Sequence, residues 1–528
     1  MGVKSLRSLV WLGLLALAAC THSDLRPDYP RQPSTVMPVQ ADAPLTAYAA
    51  RLASTHDGDS GLRLISDASD ALLARIALAD RAVHSLDVQY YMFHSDATGQ
   101  LLAQHLLAAA DRGVRVRLLL DDLHVAGNDA VLRALDGHPH IQIRLFNPFM
   151  ERKSSLWSIG KQFAGDFSRL NRRMHNKAFI ADGSAAIVGG RNIGDEYFDA
   201  NGNVNFRDLD VLAVGPVVAQ VGEAFDRYWN SPQSFPIAAF HYKVPGDPEL
   251  AAVRKQLAAN ARTFSQTSYA QNLITRVGDL AHETPEAQWA WGPATYLADD
   301  PDKGNPEADD KGLHMAPKLR GWLDGAQHQI TLISPYFVPG KTGVAYLTAM
   351  RERGVAVNLL TNSLASTDSG GVYATYASYR TSLLAQGVSI YELKSDASSP
   401  GGGSGHFFGS SSGSSSGSSL HAKAMVVDDN HAFVGSMNLD PRSRDLNTED
   451  GVIIESNVLA KALLAIFADA TKPAHSYHVV LDPNSQRTYW EGEGPDGKPI
   501  RVDHAPDTSW WRRFKVGLSR LLPVEGLL

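Results

Sequence analysis

Apolar and polar positions repeat in the same order at two places in the chain. Residues 86–91 (LDVQYY) precede an apolar stretch with helical spacing, which is followed by residues 112–119 (RGVRVRLL). Residues 332–337 (LISPYF) precede a similar stretch, which is followed by residues 353–360 (RGVAVNLL). Each set predicts a strand, an amphipathic helix, a glycine that ends the helix and a second, buried strand, which together form a βαβ unit.

The two units indicate a duplication. Their Arg-Gly-Val segments begin at Arg112 and Arg353, 241 residues apart, and each is followed by a further predicted strand, at residues 141–145 and 388–392. Units of this kind predict an α/β fold with two similar domains, each built on a mixed, mostly parallel sheet flanked by helices.

The same patterns divide the chain into segments. The predicted segments are a signal (1–20), a linker (21–60), a first domain (61–235), a linker or insert (236–315), a second domain (316–480) and a basic amphipathic tail (481–528). Residues 398–419 are rich in glycine and serine and contain too few apolar groups to pack, so we expect a flexible loop there.

The first 20 residues have the features of an export signal. Lys4 and Arg7 form a basic beginning, residues 9–17 form an apolar core, and Leu-Ala-Ala-Cys ends at Cys20, the only cysteine in the chain. This ending resembles the lipobox of a bacterial lipoprotein, so we expect acylation of Cys20 to anchor the mature chain to a membrane. The alternative is an ordinary signal with a chance cysteine. Because Thr21 follows Cys20 where an inner-membrane signal would have aspartate, we expect the periplasmic side of the outer membrane rather than the inner membrane.

Composition and charge exclude other classes of protein. A hydrophobic content of 44% with 20% charged residues is typical of a folded globular protein and excludes wholesale disorder. The net charge of −7, which becomes −9 when Lys4 and Arg7 leave with the signal, argues against a dedicated nucleic-acid binder.

The candidate chemistry lies at equivalent places in the two halves. The pattern H-x-K-x4-D begins at His175 and again at His421, 246 residues later, and each copy is followed after six residues by G-[GS]-x-N. Two copies in register form a specific signal. The motif residues are His175, Lys177, Asp182 and Asn192 in the first half, and His421, Lys423, Asp428, Ser436 and Asn438 in the second.

Spacing explains why these residue types suit an anionic ligand. Period-two alternation places the histidine and lysine of each H-x-K on the same face of a strand. A turn at the aspartate leads to a second strand, and the small residues of the loop that follows let backbone N–H groups and the asparagine amide approach an anion. We therefore expect a phosphate group to be bound by Lys177, Asn192, Lys423, Ser436 and Asn438.

Joining the two halves would bring both histidines and both lysines to one pocket. Two ammonium groups and several neutral donors suit a phosphate diester, whose charge spreads over its non-bridging oxygens in the transition state. One imidazole can attack phosphorus while the other protonates the leaving oxygen, and the roles reverse in the second step. We predict no metal and no other cofactor, because histidine and lysine without a carboxylate cluster make a poor Mg²⁺ site.

Each histidine of such a pair needs a carboxylate that fixes its tautomer and stabilises the imidazolium. Asp208 and Glu449 occupy comparable places after their motifs and are the candidates. The sequence leaves open which carboxylate faces which histidine. Asp182 and Asp428 are further candidates for catalytic groups, with turn formation or ion pairing as the alternative.

These motifs resemble those of the phospholipase D superfamily, and in particular those of bacterial cardiolipin synthases of the C type. Similar segments include residues 166–177 (DFSRLNRRMHNK), 189–198 (GGRNIGDEYF), 334–340 (SPYFVPG) and 440–443 (DPRS), and the likeness extends over nearly all of the mature chain. The lipobox and the Gly/Ser-rich segment before His421 depart from the family pattern.

The resemblance implies a pseudo-dimer of two phospholipase D-like domains with the active site between them. It also implies a phosphohistidine intermediate, with His175 as nucleophile, and cardiolipin synthesis by transphosphatidylation between phosphatidylglycerol and phosphatidylethanolamine. The motifs themselves indicate diester chemistry and do not distinguish a lipid hydroxyl from water as acceptor. A hydrolytic phospholipase D, and a secreted phosphodiesterase or nuclease of the same superfamily, are therefore the alternatives. The implied partners are phospholipid substrates and a membrane surface, with no nucleic acid.

The tail contains a second membrane-related pattern. Residues 509–522 are basic, and Trp510, Phe514, Leu518 and Leu521 share one face at helical spacing. This pattern is typical of an interfacial helix on anionic lipid. The alternative is a terminal helix that packs on the body of the protein.

Overall fold

The computed structural model describes residues 23–125, 128–152, 156–240, 246–280, 289–308, 310–395 and 417–519. The signal with Cys20, residues 398–416 of the Gly/Ser-rich segment and residues 520–528 lie outside these ranges. Within them, no helix is both long enough and apolar enough to cross a bilayer.

The first half alternates strands and helices. Its strands are β1 (Ser60–Ile65), β2 (Ser85–Tyr90), β3 (Arg115–Asp121), β4 (Ile141–Phe146), β5 (Ala178–Ala181), β6 (Ala185–Gly189), β7 (Val204–Arg207), β8 (Asp210–Val214) and β9 (Ser234–Pro236). Its helices are α1 (Pro44–Ala53), α2 (Ala68–Arg81), α3 (Ala97–Asp111), α4 (Asp129–Asp136), α5 (Leu156–Gly165), α6 (Phe167–Leu170) and α7 (Val217–Trp229).

Two helices and two short strands lead into the second half. The connecting elements are α8 (Asp247–Ser265), α9 (Ser268–Leu280), β10 (Ala290–Gly292) and β11 (Ala294–Ala298). The strands of the second half are β12 (Gln329–Ile333), β13 (Ala356–Asn362), β14 (Ser389–Leu393), β15 (Gly417–Leu420), β16 (Ala424–Val427), β17 (His431–Gly435), β18 (Asp450–Glu455), β19 (Ser476–Leu481), β20 (Thr488–Glu493) and β21 (Pro499–Val502). Its helices are α10 (Ala316–Leu323), α11 (Gly340–Glu352), α12 (Gly370–Ala385), α13 (Pro441–Asp445), α14 (Asn457–Ala470) and α15 (Trp510–Ser519).

Two mixed sheets have matching strand orders. The first is β10-β1-β8-β6-β5-β2-β3-β4-β9, and the second is β11-β18-β17-β16-β12-β13-β14-β19-β20-β21. In each, three central strands run parallel, β2-β3-β4 and β12-β13-β14, with helices α3 and α11 as the crossovers of the predicted βαβ units. The motif strands β5 and β16 lie antiparallel beside β2 and β12. The predicted α/β fold with duplicated domains is confirmed.

Period-two alternation divides the core into layers. In β5, Phe179 points to the first half's own cluster, whereas Ile180 belongs to a cluster shared between the two halves. In β16, Met425 points to the second half's own cluster, whereas Val426 belongs to the shared one. Each sheet therefore buries one face under its own helices and the other face in the shared core, which joins the halves.

A small third sheet also joins the halves. Strand β7 of the first half pairs in parallel with β15 of the second, and Leu420 lies opposite Arg207. The predicted flexible loop at residues 398–419 is therefore wrong at its end, because residues 417–419 make ladder hydrogen bonds in β15.

The two segments predicted as linkers pack on the domains or form part of their sheets. Residues predicted as a linker before β1 pack on the first half, where the Asp226 carboxylate accepts the Val36 N–H at 2.8 Å and Ser34 O accepts from Arg117. In the segment 236–315, β10 forms the edge of the first sheet and β11 the edge of the second. This segment is therefore structural in both sheets.

The predicted tail at residues 481–528 is also wrong in its first part. Strands β20 and β21 extend the second sheet, because β19 pairs with β20 and β20 with β21. Of the described residues, those of α15 alone correspond to the amphipathic pattern.

Candidate active site

The two motif histidines lie at the seam between the halves, each hydrogen-bonded to the backbone of the opposite half. The His175 N–H donates to Thr448 O at 2.8 Å, and Met174 pairs with Thr448 as an isolated bridge. The His421 N–H donates to Arg207 O at 2.8 Å, in continuation of the β7–β15 ladder. Because Glu449 follows Thr448 and Asp208 follows Arg207, this backbone register brings each carboxylate to the other half's histidine.

The carboxylate pairing crosses between the halves. His175 Nδ1 lies 2.8 Å from Glu449 Oε2, and His421 Nδ1 lies 2.5 Å from Asp208 Oδ2. Both carboxylates are fully buried, and both imidazoles retain 7% exposure. A carboxylate at Nδ1 leaves Nε2 of each ring for the substrate, which is the geometry of a histidine that attacks or transfers a proton.

The two lysines are buried next to the histidines. Lys177 Nζ donates to the His175 carbonyl at 2.6 Å, and Lys423 Nζ donates to the His421 carbonyl and lies 2.9 Å from His421 Nδ1. The backbone N–H of Lys177 donates to Asp450, whose other contacts include the Tyr296 hydroxyl. Two buried ammonium groups close together favour an anionic ligand, because an anion offsets their mutual repulsion and their desolvation.

The electrostatics of the two pairs differ. Burial and the neighbouring Lys177 and Lys423 hold the pKa of His175 well below its usual range. Burial and Lys423 also lower the pKa of His421, although Asp208 acts in the opposite sense. Burial opposes ionisation of Asp208, but His421 and Lys423 outweigh it and hold the pKa of Asp208 below its usual range. Burial raises the pKa of Glu449. His175 is therefore held neutral, the form needed in a nucleophile, beside a second pair with an ionised carboxylate.

The two Gly-containing loops make different contacts with the carboxylates Asp208 and Glu449. A Cβ on Gly190 would lie 2.1 Å from Asp208 Oδ1, so only glycine fits there. At the equivalent place, Ser436 donates its hydroxyl to Glu449 Oε2 at 2.5 Å, and Ser443 donates to Glu449 Oε1 at 2.7 Å. Ser436 was expected to bind phosphate, but its hydroxyl is already engaged in positioning Glu449, and that expectation is corrected.

The two asparagines of the motifs also differ. Asn192 donates from Nδ2 to the Tyr197 hydroxyl at 2.8 Å and accepts the Met92 N–H. Asn438 Oδ1 is buried and has no hydrogen-bond partner among the described residues. Because an amide oxygen accepts hydrogen bonds and does not bind an anion, the phosphate-binding roles of Asn438, through Nδ2, and of Asn192 both stay predictions.

The motif aspartates lie away from the histidines, at the far ends of strands β5 and β16. Asp182 and Asp428 have positive φ angles of 50° and 54°. The Asp182 carboxylate accepts the N–H groups of residues 83–85, and the Asp428 carboxylate accepts those of residues 327–329. The catalytic role expected for these two aspartates is corrected, because their carboxylates close a turn against the start of β2 and of β12.

We expect Asp182→Ala to destabilise the fold without removing the chemistry. The change leaves three N–H groups without their acceptor and puts alanine in a left-handed conformation, a loss of about 2–4 kcal/mol in the free energy of unfolding. Asp182→Asn keeps an acceptor and tolerates the conformation, so it should lose less. Denaturant unfolding checks stability and initial rates check kcat; a large fall in kcat at unchanged stability would contradict the structural role.

Aromatic side chains that the motif analysis missed enclose the histidines. The Tyr91 ring lies 4.9 Å from the His175 ring, and Tyr197 and Phe206 lie 5.2 and 5.0 Å from the His421 ring. Tyr91 is also within 5.7 Å of Lys177 Nζ. These rings restrict the imidazoles and exclude water. Tyr91 ends the LDVQYY segment of the repeat, and Tyr197 lies in GGRNIGDEYF, a segment similar to the family, so these two segments were the available signal.

A second titratable cluster lies near His124, whose ring is 4.8 Å from that of Tyr91 and 6.3 Å from that of His94. Among the described residues, His94, Asp96 and Glu196 form the one group of three whose ligand atoms approach within 4.8 Å of one another. His94 Nδ1 lies 3.3 Å from Glu196 Oε1, and this contact raises the pKa of His94. The contact favours the protonated form of His94, and neither motif histidine belongs to this cluster.

The buried lysines predict a falling alkaline limb in the pH profile. Burial lowers the pKa of Lys177 and of Lys423 to about 8. Because the protonated ammonium binds the diester, kcat/KM, which reports groups of the free enzyme, should fall as the pH rises through about 8. The low pKa of His175 should keep the nucleophile neutral below pH 6.5. Initial rates at low substrate between pH 5 and 10 check this; activity that keeps rising above pH 8 would contradict it.

Comparison with known proteins agrees with this geometry. A family model described as "Cardiolipin synthase, PLD-like domain" matches residues 75–229 and 319–470. The chain therefore belongs to the phospholipase D-like cardiolipin synthase family, and it is an enzyme of the phospholipase D type that makes phospholipid.

Individual relatives support the family assignment. The chain is 42% identical to cardiolipin synthase C of Escherichia coli (strain K12) over 480 residues, which covers 90% of this chain and 98% of that protein. It is 25% identical to the major cardiolipin synthase ClsA of Bacillus subtilis (strain 168), over 78% of this chain and 69% of that protein. The crystal structure of phosphatidylserine synthase from Haemophilus influenzae Rd KW20 has the same fold, with a TM-score of 0.55, 12% identity, and coverage of 91% of this chain and 100% of that chain.

Proposed function

We propose that this protein is a cardiolipin synthase that transfers a phosphatidyl group from phosphatidylethanolamine to a hydroxyl of phosphatidylglycerol. The observation that carries the proposal is the crossed pair of histidines, each oriented by the carboxylate of the other half and each beside a buried lysine. Two imidazoles allow transfer in two steps, and the similarity to cardiolipin synthase C over nearly the whole chain supports a lipid hydroxyl as acceptor.

In the first proposed step, His175 Nε2 attacks the phosphorus of the donor lipid, and the bond to the ethanolamine oxygen breaks. His421 supplies a proton to that oxygen, so ethanolamine leaves as an alcohol and not as an alkoxide. In the second step, His421 takes the proton from a hydroxyl of phosphatidylglycerol, whose oxygen attacks phosphorus and releases His175. Lys177, Lys423 and the Asn438 amide stabilise the non-bridging oxygens in both steps.

Product analysis tests this proposal. Purified protein is incubated in EDTA with vesicles of phosphatidylglycerol and phosphatidylethanolamine, and the lipids are analysed by mass spectrometry. We expect cardiolipin together with released ethanolamine. Phosphatidic acid without cardiolipin would instead identify a hydrolytic phospholipase D.

We also propose that the mature chain is a lipoprotein on the periplasmic face of the outer membrane, anchored through acylated Cys20. Support comes from the sequence of residues 1–20 alone. Replacing Cys20 with serine should abolish labelling by a radioactive fatty acid and release the protein from membrane fractions. Unchanged labelling would refute the assignment of Cys20.

Helix α15 supplies a second proposed membrane contact. It packs on the body through Val516, which lies against Gly370 of α12, and through Arg512, which donates to Thr367 O at 3.1 Å. Its other side presents Trp510, Trp511 and Phe514, whose rings stack on one another and are about half or more exposed. The helix is thus both packed and amphipathic, and its aromatic face suits a bilayer interface.

The position of this helix favours contact beside the active site. Thr367 precedes Asp368, which accepts a hydrogen bond from Tyr336 at 2.6 Å. Asp368 also acts electrostatically on Lys423. A bilayer that contacts the α15 aromatic residues would therefore lie close to the second half's lysine.

We expect Trp510→Ala, Trp511→Ala and Phe514→Ala together to weaken binding to phosphatidylglycerol vesicles by at least about tenfold, because large apolar groups no longer enter the interface. Vesicle sedimentation measures binding, in a Cys20→Ser background that removes the anchor. Val458→Ala, an exposed apolar position on α14, is the control. Unchanged sedimentation of the triple variant would contradict the proposal for α15.

A further inference from the structure

The two halves differ in how their helices cover the parallel strands. In the first half, α2 and α3 pack directly on one another, and α9 and α8 cover them in turn. In the second half, the corresponding helices are α10 and α11, and α10 has 8 residues where α2 has 14. A cavity of about 380 Å³ lies between α10 and α11.

This cavity has an apolar lining. Its volume lies toward the lower end of the ~300–1,000 Å³ that small-molecule sites occupy. Side chains that line it come from α10, β12, α11 and the two loops beside the second motif: Leu319, Leu323, Leu332, Phe337, Leu347 and Met437. This apolar part of the lining suits a hydrocarbon chain.

One wall of the cavity is formed by the motif loop of the second half, through Met437 and Leu439. Met437 lies between Ser436, which positions Glu449, and Asn438, whose amide oxygen is buried without a partner among the described residues. The Val338 N–H donates to Leu439 O at 2.7 Å, so the loop after β12 and the motif loop form one wall. A ligand in the cavity would therefore contact the loop that carries Ser436 and Asn438.

A second link reaches the same carboxylate. Asp440 lines the cavity and accepts the Ser443 N–H at 2.7 Å, and the Ser443 hydroxyl donates to Glu449. Only Ser443 thus separates the cavity wall from the carboxylate that orients His175.

Basic side chains also line the cavity, together with Asp440 and Asp445. Lys311 and Arg320 line it and are exposed, and Arg444, which also lines it, is paired with Asp445. Exposed cations around an apolar opening suit a bilayer with anionic headgroups, which offers both the charge and the chain.

We propose that this cavity holds one acyl chain of the phospholipid whose phosphate lies at Lys177 and Lys423. The proposal rests on the proposed function, since it assumes that the diester at the two lysines belongs to a lipid. In the described part of the first half, α2 and α3 pack directly on one another, so the two lipids of a transfer reaction would be held differently. One lipid has an acyl chain inside the protein, and the second lipid presents its headgroup from the bilayer.

Photolabelling tests the occupant independently of turnover. The probe is a phosphatidylglycerol with a diazirine on one acyl chain, in phosphatidylglycerol vesicles, with the full-length His175→Ala protein. We expect labelled peptides from residues 311–347 and 437–445. Labelling confined to other peptides would overturn the proposal, as would labelling of these peptides by diazirine-bearing palmitate and not by the lipid probe.

A pair of tryptophan variants supplies the kinetic test. Thr342 is exposed and lines the cavity, so Thr342→Trp should fill its mouth, whereas Ala345→Trp adds the same bulk on α11 outside the lining. We expect Thr342→Trp to lower kcat/KM for dioleoyl lipids on the order of tenfold, which corresponds to about two methylene groups that are no longer buried. The same variant should leave kcat/KM for short-chain, monomeric lipids unchanged. Equal values for the two variants on dioleoyl lipids would overturn the proposal.

The two tests separate the failure of the proposal from failure of the proposed function. If the parent protein made no cardiolipin but the lipid probe labelled the cavity, the acyl site would stand and the transfer reaction would fall. If cardiolipin formed but the probe labelled other peptides, the transfer reaction would stand and the acyl site would fall.

Discussion

Replacing either His175 or His421 with alanine is expected to lower the rate of phosphatidyl transfer by at least ~10³-fold. One change removes the atom that attacks phosphorus, and the other removes the group that carries the proton. Because both act in the same step, the double variant should lose little more than either single variant. Initial rates of cardiolipin formation from mixed vesicles measure all three.

The control for this prediction is His105→Ala. His105 pairs with Asp80 on the surface, outside the catalytic seam, so this variant should retain the parent rate. Unfolding curves for each variant exclude loss of structure as the cause. A single variant at His175 or His421 that kept a substantial part of the parent rate would contradict the two-histidine mechanism.

Glu449→Gln and Asp208→Asn are each expected to lower kcat by about 10²–10⁴-fold. The amides keep the size of the side chain but cannot stabilise an imidazolium at Nδ1 of the facing histidine. Both carboxylates are fully buried, so water does not replace them easily. Rates in mixed vesicles measure the loss.

Because each carboxylate faces the histidine of the opposite half, each of these two variants should affect one particular histidine. Glu449→Gln should shift the ring ¹⁵N resonances of His175, and Asp208→Asn should shift those of His421. His175→Ala and His421→Ala spectra supply the assignments. If Glu449→Gln shifted His421 and left His175 unchanged, the pairing between halves would be contradicted.

Local periodicity made the central part of the fold predictable. Strands β2, β3, β12 and β13 are short apolar runs joined by amphipathic helices, and the duplication supplied an independent check on each. The edge strands β10 and β11 were not predicted, because each has five or fewer residues and little alternation. Their place depends on long-range pairing with β1 and β18.

The candidate site shows the same division between local and long-range information. Motif spacing placed each histidine with its lysine, because the two are two residues apart in an extended segment that leads directly into β5 or β16. It could not assign Glu449 to His175, since that depends on the register of Met174 against Thr448, residues far apart in sequence. The role of Ser436 was missed, and the choice between catalysis and turn formation for Asp182 stayed open, because their hydrogen-bond partners come from other elements.

The stereochemistry of transfer at phosphorus tests the central claim most directly. A substrate lipid with a chiral, isotopically labelled phosphate is transferred, and the configuration of the product is determined. Two successive displacements, first by a histidine and then by the acceptor hydroxyl, predict net retention of configuration. Net inversion would mean direct transfer between lipids and would contradict a covalent intermediate at this pair of histidines.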